Sequence, residues 1–233
     1  MTAQTELTVR RQSGFVNAPR IHTALTAGME KRFLVWMARR TPAAITPDHL
    51  TVLGFGAQIC AGIAYALAAR DARALWLVDM FLVLNWLGDS LDGTLARVRT
   101  QQRPRYGFYV DHIADTIGAF ALMAGLGVSG LLHWPVAAGL LACFYALSIE
   151  SYLATYTLGR FHLSHGFFGP TELRILLVVG NAAAYFHPYS SLPGGPYLLF
   201  DIGGVIGIGG MAAMLFTAAV RHTATLYREE TAR

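Results

Sequence analysis

Six apolar stretches of roughly 20 residues, near 49–69, 73–96, 106–131, 134–158, 171–187 and 197–220, constrain this chain more than anything else in it. At about 1.5 Å per residue, each is long enough for a helix to cross a hydrocarbon core of about 30 Å. Lipid offers no hydrogen bonds, so the backbone must satisfy its own polar groups, and a run of this length does so as a helix. The composition agrees, with 54% hydrophobic residues against 14% charged. The sequence therefore predicts an all-α integral membrane protein with six transmembrane helices, forming a single domain over residues 1–233. Residues 1–14 are polar, with no apolar stretch leading to a cleavage site, so no removable signal peptide is expected. Cys60 and Cys143 fall inside predicted spans without metal-ligand spacing and read as small apolar residues.

Cytoplasmic loops are enriched in Lys and Arg, and here the sorting is lopsided. Of the 18 such residues, only Arg70 and Arg73 fall on the outer side if the N-terminus is inside. The remainder, among them Arg97, Arg99, Arg103, Arg105, Arg160 and Arg174, fall inside. This predicts cytoplasmic termini, and it reads the net charge of +4 as membrane orientation and lipid contact, with no nucleic-acid partner. Residues 21–40 place Leu25, Met29, Phe33 and Met37 four apart among Lys31, Arg32, Arg39 and Arg40, an amphipathic helix suited to the inner membrane surface. A cytosolic helix packed on the loops is the alternative. Thr46, Pro47 and Asp48 then supply a helix start before the first span. Pro188 to Pro196 reads as an outer linker, and Gly203, Gly204, Gly207, Gly209 and Gly210 in the last span permit close helix approach.

Against this apolar background stands D-S-L-D-G-T-L-A-R from Asp89, then nine residues, then G-F-Y-V-D-H-I-A-D ending at Asp115. A carboxylate at the bilayer centre costs on the order of 3 kcal/mol on insertion scales, so several together require a cation or a wet cavity. Asp89 and Asp92 are three apart and Asp111 and Asp115 four apart, so each pair shares a helix face. Two such faces turned together make a four-carboxylate pocket. Its oxygen donors suit Mg²⁺ or Mn²⁺, and the lack of usable Cys or a nearby His pair argues against zinc. His112 points about 100° away from Asp111 and is a secondary candidate. Gly93 and Ala96 leave room on the helix, and Arg97 can fork onto a phosphate oxygen. Two other classes use buried acids: helix-tying ion pairs, and a cation transporter. The transporter needs a polar path to the outer side, to which only Asn85 and Asp79 contribute.

These residues resemble the CDP-alcohol phosphotransferases, also called CDP-alcohol phosphatidyltransferases. The family signature is D-x-x-D-G-x-x-A-R, eight or nine residues, then G-x-x-x-D-x-x-x-D, and Asp89, Asp92, Gly93, Ala96, Arg97, Gly107, Asp111 and Asp115 fill every position. The I-T-P-D-H-L-T stretch at 45–51 is similar to the family's approach to its first membrane helix. The resemblance implies metal-dependent transfer of a substituted phosphate from a CDP-activated alcohol to an alcohol acceptor, with release of CMP, in phospholipid biosynthesis. It implies that Asp89, Asp92 and Asp111 ligate Mg²⁺ or Mn²⁺, that Gly93, Ala96, Arg97 and Gly107 line the CDP site, and that Asp115 is the general base with metal contact as well. It further implies a homodimer. The Lys and Arg sorting, with Asp89 and Asp92 near the cytoplasmic end of the second span, predicts a site that faces the cytoplasm in a bacterial inner or plasma membrane. One substrate, donor or acceptor, would be a lipid.

The signature leaves open which substrate is the lipid. The segment from Glu150, with Tyr152, Thr155 and Leu158, and then Gly169 and Glu172, loosely resembles choline/ethanolamine phosphotransferases. Glu150 with Tyr145, Tyr152 and Tyr156 would offer an anionic aromatic surface to an ammonium group. Arg160 and Arg174, with His162 and His165, would instead meet an anionic acceptor. The acceptor candidates are thus Glu150, Tyr152, Arg160, Glu172 and Arg174. The reading leans to a CDP-amino alcohol donor with diacylglycerol, against phosphatidyl transfer from CDP-diacylglycerol to a small polar alcohol.

Overall fold

A computed structural model describes residues 27–158 and 170–231 as seven helices and one short hairpin. In chain order the helices are α1 (Ala27–Arg40), α2 (Pro47–Ala68), α3 (Ala74–Val98), α4 (Pro104–Val128), α5 (Trp134–Leu158), α6 (Pro170–Phe186) and α7 (Leu199–Thr231). Between α6 and α7, β1 (Tyr189–Leu192) pairs antiparallel with β2 (Gly195–Leu198). Among the described residues four helices, α2, α3, α5 and α7, are long and apolar enough to cross a membrane, and the protein is an integral membrane protein. Residues 21–26 of the expected interfacial helix and Arg160 lie outside the described residues.

The start of α2 follows from three residues. The Thr46 hydroxyl accepts from the His49 amide at 3.3 Å, the His49 ring accepts from the Thr46 amide at 3.3 Å, and Pro47 takes the first helical position, where its missing N–H costs nothing. Arg99, just past α3, donates to the carbonyls of Thr41, Pro42 and Ile45 at 2.6–2.9 Å and so fixes the α1–α2 connection. The inward face of α1 packs Leu34 and Ala38 against Leu91 and Leu95 of α3, and Phe33 stacks on Trp86.

Backbone proximity binds α2, α3 and α4. Within lipid there is no hydrophobic force between helices, so close packing through small residues carries association. A methyl group at Gly88 would lie 2.5 Å from the Gly54 nitrogen, and one at Gly125 would lie 1.9 Å from the Gly62 carbonyl oxygen. Only glycine fits either crossing. Around the Gly62–Gly125 crossing lies a buried core of Tyr65, Leu75, Val78, Leu82, Leu122 and Leu126. It holds one polar chain: Tyr65 donates to Asn181 at 2.8 Å, and Asn181 donates to Asp79 at 2.7 Å.

Helix α5 packs chiefly on α7. Of the five glycines expected to allow close approach, Gly204 and Gly207 do so, against Val136 and Leu140 of α5, while Gly203, Gly209 and Gly210 have no heavy atom near the position of a side chain. The last helix outruns the expected span, ending at Thr231, because residues 211–231 contain neither Gly nor Pro to stop it. The expected linker is a hairpin closed by Pro193 and Gly194, with Gly194 at φ 109°.

Candidate active site

The four signature acids share one cleft. Asp89 and Asp92 from α3 and Asp111 and Asp115 from α4 line it together with Thr51, Gly54, Phe55 and Gln58 of α2, Asn85, and Ala114. The glycine crossings are what bring these elements together. Gly54 lets the backbone of α3 approach at Asp89, and Gly118 leaves the space that the Gln58 side chain fills.

Asp92 is held on both oxygens. Thr51 donates its hydroxyl to Oδ2 at 2.6 Å, and Oδ1 accepts from the Gly93 amide. Asp89 Oδ2 accepts from Arg174 Nη2 at 2.7 Å, and Arg174 Nε donates to Asn85 Oδ1 at 2.7 Å. Asn85 in turn donates to the Gly54 carbonyl at 3.0 Å. All four acids line the one cleft and Arg174 pairs with Asp89, so the four acids and one guanidinium form one electrostatic unit.

Among the described residues no three acid side chains stand close enough to hold a metal ion as they are oriented. The donor chemistry nonetheless fits a hard divalent cation: four carboxylates and a threonine hydroxyl share one wall, with no sulfur donor among them. Closing them on a cation requires side-chain rotation, above all at Asp89, which Arg174 engages.

Of the residues that the resemblance assigns to CDP, none lines the acid cleft. Gly93, Ala96 and Arg97 continue α3 toward the α3–α4 connection, and Gly107 lies near the start of α4, so all four flank the same end of the cleft. Arg97 donates to Thr94 at 3.0 Å, and a side chain at Gly93 would meet Arg97 Nη1.

The acceptor candidates scatter. Tyr152 stays near the acids, its ring 5.0 Å from that of His112 and 6.3 Å from that of Phe108. Glu150 faces the other way and meets His222 of α7 at 2.5 Å. Tyr145 donates to the Thr116 carbonyl at 2.9 Å, and Tyr156 is 89% exposed. Glu172 sits in the first turn of α6. The sequence assigned no site role to Thr51 or Gln58 and read Asn85 only as part of a transporter's polar path; the available signal was a hydrogen-bonding side chain inside an apolar span.

An acid-lined cleft within a helical membrane protein marks a functional site, because buried carboxylates there are costly to keep. The sequence model of the CDP-alcohol phosphatidyltransferases matches residues 44–220, and the chain belongs to that family. It is thus a transferase of phospholipid synthesis. Two solved structures are similar in fold. One is Mycobacterium tuberculosis phosphatidylinositol phosphate synthase PgsA1 with CDP-DAG bound, at 22% identity and TM-score 0.53 over 84% of this chain and 94% of that one. The other is the apo form of the same synthase, at 19% identity and TM-score 0.51 with the same coverage.

Proposed function

We propose that this protein transfers a phosphatidyl group from CDP-diacylglycerol to a small polar alcohol, releasing CMP. The observation that carries the proposal is the convergence of all four signature acids on one cleft with Thr51. Two facts favour the lipid as donor. Glu150 is engaged with His222 of α7, and the Tyr145 hydroxyl is committed to the Thr116 carbonyl, which removes much of the ammonium-binding surface behind the lean to a CDP-amino alcohol. In addition, the structurally similar PgsA1 binds CDP-DAG. The second reading, a CDP-amino alcohol with diacylglycerol, keeps one support: the Tyr152, His112 and Phe108 rings beside the acids.

In the proposed reaction the acceptor hydroxyl oxygen bonds to the phosphorus that bears diacylglycerol. The bond from that phosphorus to the CMP oxygen breaks, CMP leaves with the electron pair, and the hydroxyl proton passes to Asp115. Asp89, Asp92 and Asp111 would hold Mg²⁺ or Mn²⁺, which when bound neutralises the pyrophosphate. Thr51 fixes the Asp92 carboxylate, and Arg97 with Gly93, Ala96 and Gly107 receives the cytidine diphosphate at the mouth. The protein would work as one domain of six spans and as a homodimer, with α1 on the cytoplasmic surface of a bacterial inner membrane and the cleft opening to that side. The uneven placement of Arg and Lys supports that orientation.

The test is CMP release by the purified protein, crossing CDP-diacylglycerol against polar alcohols and CDP-choline or CDP-ethanolamine against diacylglycerol, with and without chelator. Cation-dependent CMP release in the first arm is expected, and its loss in Asp92→Asn. Turnover only in the second arm would reverse the choice of donor, and an active Asp92→Asn protein would remove the role given to the acids.

A further inference from the structure

The acid cleft already contains a cation of its own. Arg174 reaches from the first turns of α6 and sets one edge of its guanidinium against α3, with Nη2 on Asp89 and Nε on Asn85, both at 2.7 Å. These two N–H groups point the same way from one edge of the fork, and residues 85 and 89 are one helical turn apart, so the pair of acceptors defines the guanidinium plane. The amide of Asn85 has no freedom to offer otherwise. It is 4% exposed, and its nitrogen is committed to the Gly54 carbonyl at 3.0 Å, which turns its oxygen toward Arg174. The ion pair is partly shielded, with the Arg174 side chain 14% exposed and that of Asp89 31%.

We infer that Asn85 is a positioning residue that holds Arg174 on Asp89, and that this ion pair competes with the divalent cation for the Asp89 carboxylate. The inference rests on the reading of Asp89 as a cation ligand. An arginine and a divalent cation on one carboxylate repel each other strongly in a shielded cleft. The pair must therefore open before the cation takes Asp89, and the apparent cation affinity falls by the fraction of molecules in which it is closed. In the cation-free protein the same pair offsets the repulsion among four clustered acids. Asn85 adds no charge, so it changes the competition only through the placing of the guanidinium.

The experiment is a Mn²⁺ titration of the purified full chain in detergent, without substrate, following free Mn²⁺ by electron paramagnetic resonance. Asn85→Ala should bind Mn²⁺ about threefold more tightly than wild type, the factor expected when a partly exposed ion pair loses its anchor. It should also melt lower without cation and gain more in Tm when Mn²⁺ is added. Unchanged or weaker binding by folded Asn85→Ala overturns the inference. Arg174→Lys serves if that variant does not fold: it keeps the charge but cannot present an edge to both acceptors, so the same tightening is expected and its absence is equally decisive. Saturable wild-type binding without tightening in the variants removes the competition alone. No saturable binding in any of these proteins removes the assignment of the acids as ligands, and the inference with it.

Discussion

Replacing Gly88 by Ala should disable the cleft through a single methyl group that touches no substrate. Its carbon would lie 2.5 Å from the Gly54 nitrogen, 2.6 Å from the Gly54 Cα and 2.7 Å from the Leu50 carbonyl oxygen. Ordinary contact begins near 3.4 Å, and all three atoms are backbone, so α2 and α3 must separate by about 1 Å. Two bonds cross this line: Thr51 to Asp92 at 2.6 Å and Asn85 to the Gly54 carbonyl at 3.0 Å. The second would pass beyond hydrogen-bonding distance, leaving buried polar atoms at a cost of about 1–3 kcal/mol. Alanine's better helix propensity returns at most about 1 kcal/mol. A misplacement of about 1 Å costs on the order of 100-fold in rate, so kcat/KM for CMP release should fall by about that factor, with Tm lowered by a few degrees. Gly56→Ala on α2, the partner helix of this crossing, is the control, since no heavy atom lies within 4 Å of its added carbon, and it should behave as wild type. Wild-type turnover by Gly88→Ala, from protein that melts normally, would refute the claim that this backbone crossing sets the positions of the acids.

Three further outcomes are expected. Asn181→Leu strands the Tyr65 hydroxyl and the Asp79 carboxylate on either side and should destabilise the protein by about 2–4 kcal/mol in a denaturant titration, while CMP release by the folded fraction keeps its KM. Equal stability would mean that water or lipid headgroups already serve those groups. Glu150→Gln should leave kcat/KM for the transfer within about threefold of wild type, because the carboxyl addresses His222 rather than the acids; a loss of about 100-fold would return Glu150 to the substrate site. Arg99→Ala frees three carbonyls of the α1–α2 connection, and limited proteolysis should then cut within residues 41–46 much faster than in wild type.

The helices and the acid cluster were legible because each follows from a rule with a short range. Apolar length gives the helix, and spacing of three or four puts two acids on one face, so Asp89 with Asp92 and Asp111 with Asp115 could be paired before any fold was known. Thr46 and Pro47 likewise announced the start of α2. What stayed hidden depends on partners distant in sequence. Arg174 was legible as a cation for an anionic acceptor, but its engagement with Asp89 depends on how α6 crosses α3. Glu150 looked like part of a ligand surface because its own helix offers tyrosines around it; the residue that takes it, His222, is 72 positions away. Thr51 and Gln58 were passed over as single polar groups in an apolar span, whose meaning appears only when α2 lies against α3 and α4. The length of α7 escaped for a different reason, since hydropathy marks where lipid contact ends and says nothing about where a helix does.

The division between tightly and loosely buried helices bears on how this protein tolerates change. Seven residues of α2 and nine of α3 are buried, against two of α5 and one, Gly204, in the 33 residues of α7. Substitutions in the first pair disturb backbone crossings and the acids together. Those in the second pair mostly alter residues exposed on the surface of the single chain. Diversification by mutation would therefore concentrate in α5 and α7, letting one fixed chemical centre be carried into bilayers of different thickness or composition with little loss of the reaction itself.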